Sequence, residues 1–583
     1  MLVKTKTFSG YILSKASTAV SKHRNLSVLF STILLLFFSG CSPEKNIKKV
    51  QSLIYLTEDV PAGLDNDGPA AAIPTSQIGI VNLVDPLIDY ALDDSTGQSI
   101  KNLNFEKFEG RLAESWSFNK DTLTWTFKLR KNVISCAGNN LSADDILYTF
   151  ARAKSVSGAA PIGWFLSSVA SIDTFTTEVL SDPTKRSLGS EIRKVDDYTV
   201  TIRQSVPNQL FLPALTTFGI RIYDSKEAIK HSTESDPWSH NYINNTSLPG
   251  YGPYCLERWS KGNEFIITAN PNYYRGAPQI KRIVFKKIPQ SSNRFIIMRM
   301  KQGDITTGLT PREFFKLEEF EHINVLGITG NENIFVHMNF DTPPFDNLLV
   351  RKAIAAAIPY EWIIKNVYFN QATQWKGLIP SRYPGGKSYF EVENTGTLAA
   401  KKLLELAGYK DGEGLQKYKS SFKLSYVSEK EATLGPVATA VRTALRDAGF
   451  PVELDPIPLT QYGDRQLVKR DLPFALNDQE KPIVVDAGYA VQLFFASPEA
   501  GGVNNMTNYR NERVDQLWEE ARSTAAPERR TTLITEIYKQ LSNDIAWLPI
   551  AEYQTQWASK IDIEGFTWYP DNAIRFSDLR VKK

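Results

Sequence analysis

Only three cysteines and five histidines occur among the 583 residues. No two histidines stand at metal-binding spacing, and neither HExxH nor CxxC is present, which excludes a sequence-marked zinc or thiol-redox centre. His231, His240, His322 and His337 each read as lone surface or core residues. There is no GxSxG nucleophile elbow and no GxGxxG opening a helix. Gly385-Gly386-Lys387-Ser388 ends like a phosphate loop, but Ser381 stands where such a loop needs glycine. It follows Pro380 and Pro384 instead of a strand, and so reads as a surface turn. The paired acids Asp144-Asp145, Asp196-Asp197 and Glu519-Glu520 are adjacent, and adjacent helical residues do not face one another. They read as solvated faces and helix N-termini, not as an acid/base pair. Nothing in the chain calls for a cofactor or a metal.

Long apolar runs are missing too. The apolar stretch at 26–38 is short of the roughly 20 residues a membrane helix needs. It follows a basic leader (Lys4, Lys6, Lys15, Lys22, Arg24) with no acid before Cys41, and leads into Ser39-Gly40-Cys41. That is the pattern of a secretory signal. Phe38-Ser39-Gly40-Cys41 resembles a lipobox, with Phe38 where leucine is usual. Residues 1–40 are therefore expected to be a lipoprotein signal peptide, Cys41 an acylated membrane anchor, and 41–50 a polar tether. Several buried acyl chains, at about 0.8 kcal/mol per CH₂, make a stable anchor. Removing the leader leaves 62 basic against 64 acidic residues, and no clustered basic face that would suit nucleic acid. Past Cys41 only Cys136 and Cys255 remain, able to form one disulfide in an oxidising compartment or to stay two buried thiols.

The rest of the chain mixes both periodicities. Residues 121–132 alternate, with Leu123, Trp125, Phe127 and Leu129 on one side. Further strands are expected at 53–56, 198–203, 265–268, 281–288 and 422–427. A helix opens at Ser142, and others cover 350–358, 398–407, 437–448, 514–521 and 531–541, with Pro359, Gly408 and Gly449 as stops. From Cys41 on the chain is longer than one hydrophobic core serves. A large α/β architecture of several lobes is expected.

Ordered segments carry a family resemblance. Leu112-Ala113-Glu114-Ser115-Trp116, the strand pattern at 123–133 and Leu141-Ser142-Ala143-Asp144-Asp145 come first. Gly250-Tyr251-Gly252-Pro253-Tyr254, Asn270-Pro271-Asn272-Tyr273-Tyr274-Arg275-Gly276 and Gly303-Asp304-Ile305 follow. Then come Pro343-Pro344-Phe345-Asp346 with Val350-Arg351-Lys352-Ala353, and Ala400-Lys401-Lys402-Leu403-Leu404 with Ala407-Gly408-Tyr409. Together they resemble the family 5 extracellular solute-binding proteins, which serve oligopeptide and dipeptide ABC importers. At 135–138 Ser-Cys-Ala-Gly replaces the family's usual Phe-His-Asp-Gly turn.

The resemblance implies a bilobed periplasmic-binding-protein fold (type II, cluster C) with an extra domain inserted in lobe I. Lobe I would hold 51–110, 216–308 and 546–583, the extra domain 111–215, and lobe III 309–545. A monomer would take a peptide or other small solute between the lobes and pass it to permease and ATPase subunits, without catalysis. In peptide-binding members an aspartate before a tyrosine holds the ligand's amino terminus; Tyr489 matches that tyrosine, which leaves Gly488 at the anchor and Asp486 two residues earlier. Read as a strand, 486 and 488 would share a face, so Asp486 is a candidate substitute. Asn504 and Asn505 fall where the family often carries paired amides. Ser76 and Gln77 occupy the early segment that lines the cleft in relatives. A secreted hydrolase with unmarked carboxylates, a binder of oligosaccharides or opine-like conjugates, and an adhesion or sensor lipoprotein are the competing readings.

Overall fold

The computed structural model describes residues 52–93, 99–155, 192–205, 207–391, 395–478 and 481–582, all within one compact unit. The segments expected to be the signal peptide and the tether, with Cys41, lie outside the described residues.

An eleven-stranded mixed sheet organises that unit. From one edge it runs Glu453–Ile457, Lys423–Val427, Phe474–Asn477, Ile323–Met338, Leu548–Lys560, Ile305–Thr306, Ser52–Thr57, Arg282–Lys287, Glu264–Ala269 and Tyr254–Ser260. Ala372–Thr373 joins it beside Leu548–Lys560. Ser52–Thr57 shows why a short, nearly continuous apolar run sits at its centre. Leu53 and Tyr55 enter one core, Leu56 meets Met298, Leu309 and Phe314 on the other face, and both neighbouring strands run parallel.

Two strands are longer than the rest, and they join the lobes. Ile323–Met338 and Leu548–Lys560 pair antiparallel over most of their length. Their outer parts sit beside Ile305–Thr306 in one lobe, and the Phe335 end pairs with Phe474–Asn477 in the other. Between these parts Thr329 faces Gln554 and Glu332 faces Tyr553, so Gly330 and Asn331 have no residue opposite. Bulges of this kind bend a strand pair locally. A Cβ on Gly330 would lie 2.5 Å from the Trp568 ring, so only glycine fits there. Asn331 Nδ2 donates to Tyr383 Oη at 3.0 Å and to the Pro570 carbonyl at 2.6 Å, which ties the bulge to a segment from each side.

The elements read from the sequence are present with shifted ends. Pro359 separates the helices Leu348–Ala357 and Tyr360–Asn366, and Gly408 and Gly449 follow helices with φ of 88° and 103°. A separate four-stranded sheet orders Ala113–Asn119, Thr124–Leu129, Thr199–Arg203 and Ile192–Asp196. Phe127 and Leu129 point inward as expected, but Leu123 adopts φ +51° in the preceding turn and does not start the alternation. Asp145 sits at a helix N-terminus as expected, in the first turn of Ala143–Ser155, but not on a solvated face. It is fully buried, not solvated, because it accepts from Ser142 N (2.7 Å), Ser225 N (2.8 Å), Ser225 Oγ (2.6 Å) and Tyr251 Oη (3.0 Å). Burial pushes its carboxyl above the ordinary range. Cys136 and Cys255 are joined in a disulfide, which fastens the turn at 135–138 to the strand Tyr254–Ser260.

Candidate functional site

Segments distant in the sequence meet along a boundary that is aromatic at one end and charged at the other. Phe105 packs edge-on against Tyr90 (5.1 Å), Trp568 (6.0 Å) and, across the boundary, Tyr383 (6.1 Å). Next to Tyr383, Arg382 donates to Thr329 O at 2.7 Å and to Asn102 Oδ1 at 3.1 Å. At the charged end Gln209 Nε2 donates to Thr524 O at 3.4 Å.

Two cavities lie on this face. The smaller, about 10 Å³ and so the size of one water, is bounded by Tyr90, Thr216–Phe218 and Arg575 on one side and Ile483 on the other. The Tyr90 hydroxyl beside Thr216 meets no hydrogen-bonding geometry among the described residues, and burial holds its pKa well above the usual phenol value. Asp571 and Arg575 pair at 2.6 Å along the same wall. The larger cavity, about 180 Å³, is enclosed by 207–210 on one side and by Gln492, Trp518, Glu519, Arg522 and Arg530 on the other.

Asp486 lines neither cavity but pairs with Arg530 on the wall of the larger one. It is not on a strand, as the sequence suggests, but caps the short helix Ala487–Ala490. Its Oδ1 accepts from Gly488 N (2.7 Å), Tyr489 N (3.2 Å) and Arg530 Nη2 (2.6 Å), and its Oδ2 from Arg530 Nη1 (3.0 Å). Burial works against the Arg530 charge, but the Asp486 carboxylate outweighs it and raises the guanidinium pKa. Gly488 makes this arrangement possible, since a Cβ there would lie 2.3 Å from Arg530 Nη2.

The other residues singled out in the sequence are scattered. Ser76 is fully buried in the helix Pro74–Leu83, its Oγ 3.5 Å from Gly63 N, and neither it nor Gln77 lines either cavity. Asn505 is fully buried and locks its own loop, donating to Ala496 O and Tyr509 O and accepting from Tyr509 N. Asn504 is half-buried, its backbone N–H on Leu493 O, and Tyr489 is buried behind Asp486. Sequence reasoning missed Arg530, Trp518, Tyr90 and Tyr383. Arg530 reads as one more charge on an amphipathic helix 44 residues from its partner, and no local pattern marks it.

The face therefore offers edge-packed rings together with guanidinium, indole and amide donors, groups able to hold a solute by contact and hydrogen bonding. Residues 107–502 match the bacterial extracellular solute-binding proteins, family 5 Middle. This chain belongs to that family. Among its family 5 relatives is the probable D,D-dipeptide-binding periplasmic protein of Escherichia coli, 23% identical over 514 residues, covering 88% of this chain and 90% of the relative. The family 5 fold is shared with a periplasmic binding protein of Helicobacter pylori solved with the peptide STSA (TM-score 0.72, 21% identity, 91% of this chain and 98% of that one). It is shared equally with a binding protein of A. tumefaciens R10 solved with mannopinic acid (TM-score 0.70, 21% identity, 91% and 100%). The two lobes joined by paired long strands are thus those of a solute-binding protein.

Proposed function

We propose that this chain is an extracytoplasmic lipoprotein that captures a peptide or peptide-sized solute between its lobes and hands it to an ABC importer. The observation that carries the reading is the interlobe face itself. Two cavities lie along a boundary crossed by the paired strands Ile323–Met338 and Leu548–Lys560 and bent at Gly330-Asn331. Closure about such a hinge buries a ligand between lobes. Relatives named for dipeptides support the peptide class, and the neighbour solved with mannopinic acid supports conjugates as the second reading. The division into lobe I (51–110, 216–308, 546–583), an extra domain (111–215) and lobe III (309–545) belongs to this proposal. So do the acylated Cys41 anchor, the monomeric state and the importer partnership.

Native mass spectrometry of residues 51–583 tests it, because this segment forms one compact unit. The expected result is a retained mass of peptide size, lost on mild unfolding and regained unchanged on refolding with the released fraction. A protein that carries no solute, and whose melting temperature no peptide pool raises, overturns the peptide reading.

A further inference from the structure

We infer that the larger cavity is a subsite for a carboxylate of the captured solute, with Trp518 and Arg530 as its chief donors. The inference rests on the solute-capture reading above and specifies the ligand chemistry of that same face.

The cavity walls hold two guanidinium groups, Arg522 and Arg530, against one carboxylate, Glu519. Trp518 lines the cavity, only 1% of its surface is exposed, and its indole Nε1–H has no acceptor among the described residues. A buried donor left without a partner is costly, and a ligand oxygen removes that cost. Arg530 also lines the cavity, and its pair with Asp486 uses two of the five N–H donors a guanidinium carries. Arg522 stands nearby on the same helix as Trp518. Its partner Glu519 is 62% exposed, and a surface pair of this kind opens readily to a better acceptor.

The carboxylates here are already paired, Glu519 of the wall with Arg522 and Asp486 with Arg530. The two oxygens of Asp486 receive four hydrogen bonds from Arg530, Gly488 N and Tyr489 N, so an ammonium group arriving there would have to displace Arg530. A carboxylate needs no displacement. It accepts from Trp518 and from the remaining guanidinium N–H groups, in the planar geometry that favours carboxylates over point charges. The 180 Å³ available equals roughly a dozen waters, room for a group of about that many heavy atoms.

The test compares alanyl-alanine, N-acetyl-alanyl-alanine and alanyl-alaninamide by calorimetry on the full-length chain in detergent. Amidation is expected to weaken binding about tenfold or more, and acetylation less than about threefold, since the first removes the recognised charge and the second removes an ammonium this pocket does not use. Trp518→Phe, which keeps the ring and loses the N–H, is expected to weaken both acids about fivefold and the amide little. Gly488→Ala, which pushes Arg530 aside, is expected to erase the preference for acid over amide. Equal binding of acid and amide overturns the subsite and leaves solute capture standing. So does a preference unchanged in both variants. Failure of all three probes to bind overturns the subsite and the peptide reading together.

Discussion

Asp65 and Arg152 form one enclosed ion pair in this molecule, and Asp486 and Arg530 form another, in different surroundings. Arg152 is fully buried and donates to Asp65 (2.7 and 2.9 Å), to Asp67, to Tyr223 Oη (3.2 Å) and to Trp238 O (2.9 Å), while His240 closes on Asp65 at 2.8 Å. Burial disfavours the Asp65 charge, but Arg152 holds its carboxyl well below the usual range. Burial and the Asp65 charge instead push Asp67 up to about 6. This pair is sealed by protein groups on every described side. Arg530 shares its carboxylate with two backbone N–H groups and borders a cavity. The same two side chains therefore serve opposite ends. When neighbours exhaust the donors, the pair fixes segments distant in sequence. When donors remain beside open space, the pair can recognise a ligand.

The largest effect that would break this comparison is expected from Arg152→Leu. It leaves two buried carboxylates without their cation, a loss of about 3–5 kcal/mol in urea-unfolding stability. A loss below about 1 kcal/mol would show that Asp65 and Asp67 do not depend on Arg152.

His337 sharpens the comparison as a buried titratable group with no charge partner. Burial pushes its pKa down to about 3, and it sits against Trp547 at 4.4 Å with Gln466 donating to Nδ1. A folded pKa below the unfolded value of about 6.5 means its contribution is present above that value and lost as pH falls towards 3, at about 1.4 kcal/mol per unit. The difference in unfolding free energy between the wild type and His337→Gln, measured from pH 7 to 4, should show that slope; a difference that does not change with pH would place the acid sensitivity elsewhere.

Arg530→Gln should cost least in stability, about 2 kcal/mol, because Asp486 keeps its two backbone N–H partners and is 18% exposed. Its main effect is expected on solute affinity. A stability loss as large as that of Arg152→Leu, with affinity intact, would make the two pairs equivalent after all.

Much of the fold was legible because its signals are local. The glycines after helices read correctly, since few other residues take positive φ. The buried strand at 53–56 also read correctly. Leu123 did not, because alternation alone cannot show that a turn claims the first apolar residue. The burial of Asp145 was missed because the donors that hold it come from residues 142, 225 and 251. Asn505 shows the limit from the other side: the amide that looks like a ligand contact holds its own loop.

By itself the sequence determined the α/β class, most element positions, the poverty of catalytic motifs and the ordered blocks that mark family 5. Those depend on side-chain period, turn chemistry and short-range spacing, which a linear string carries whole. Only the tertiary structure decided that Cys136 meets Cys255, that Gly330-Asn331 bulges between two shared strands, and that Arg530 fills the space Gly488 leaves open. Each of those is a contact between residues far apart in the chain or a register between strands, and no local preference encodes where two distant segments will touch.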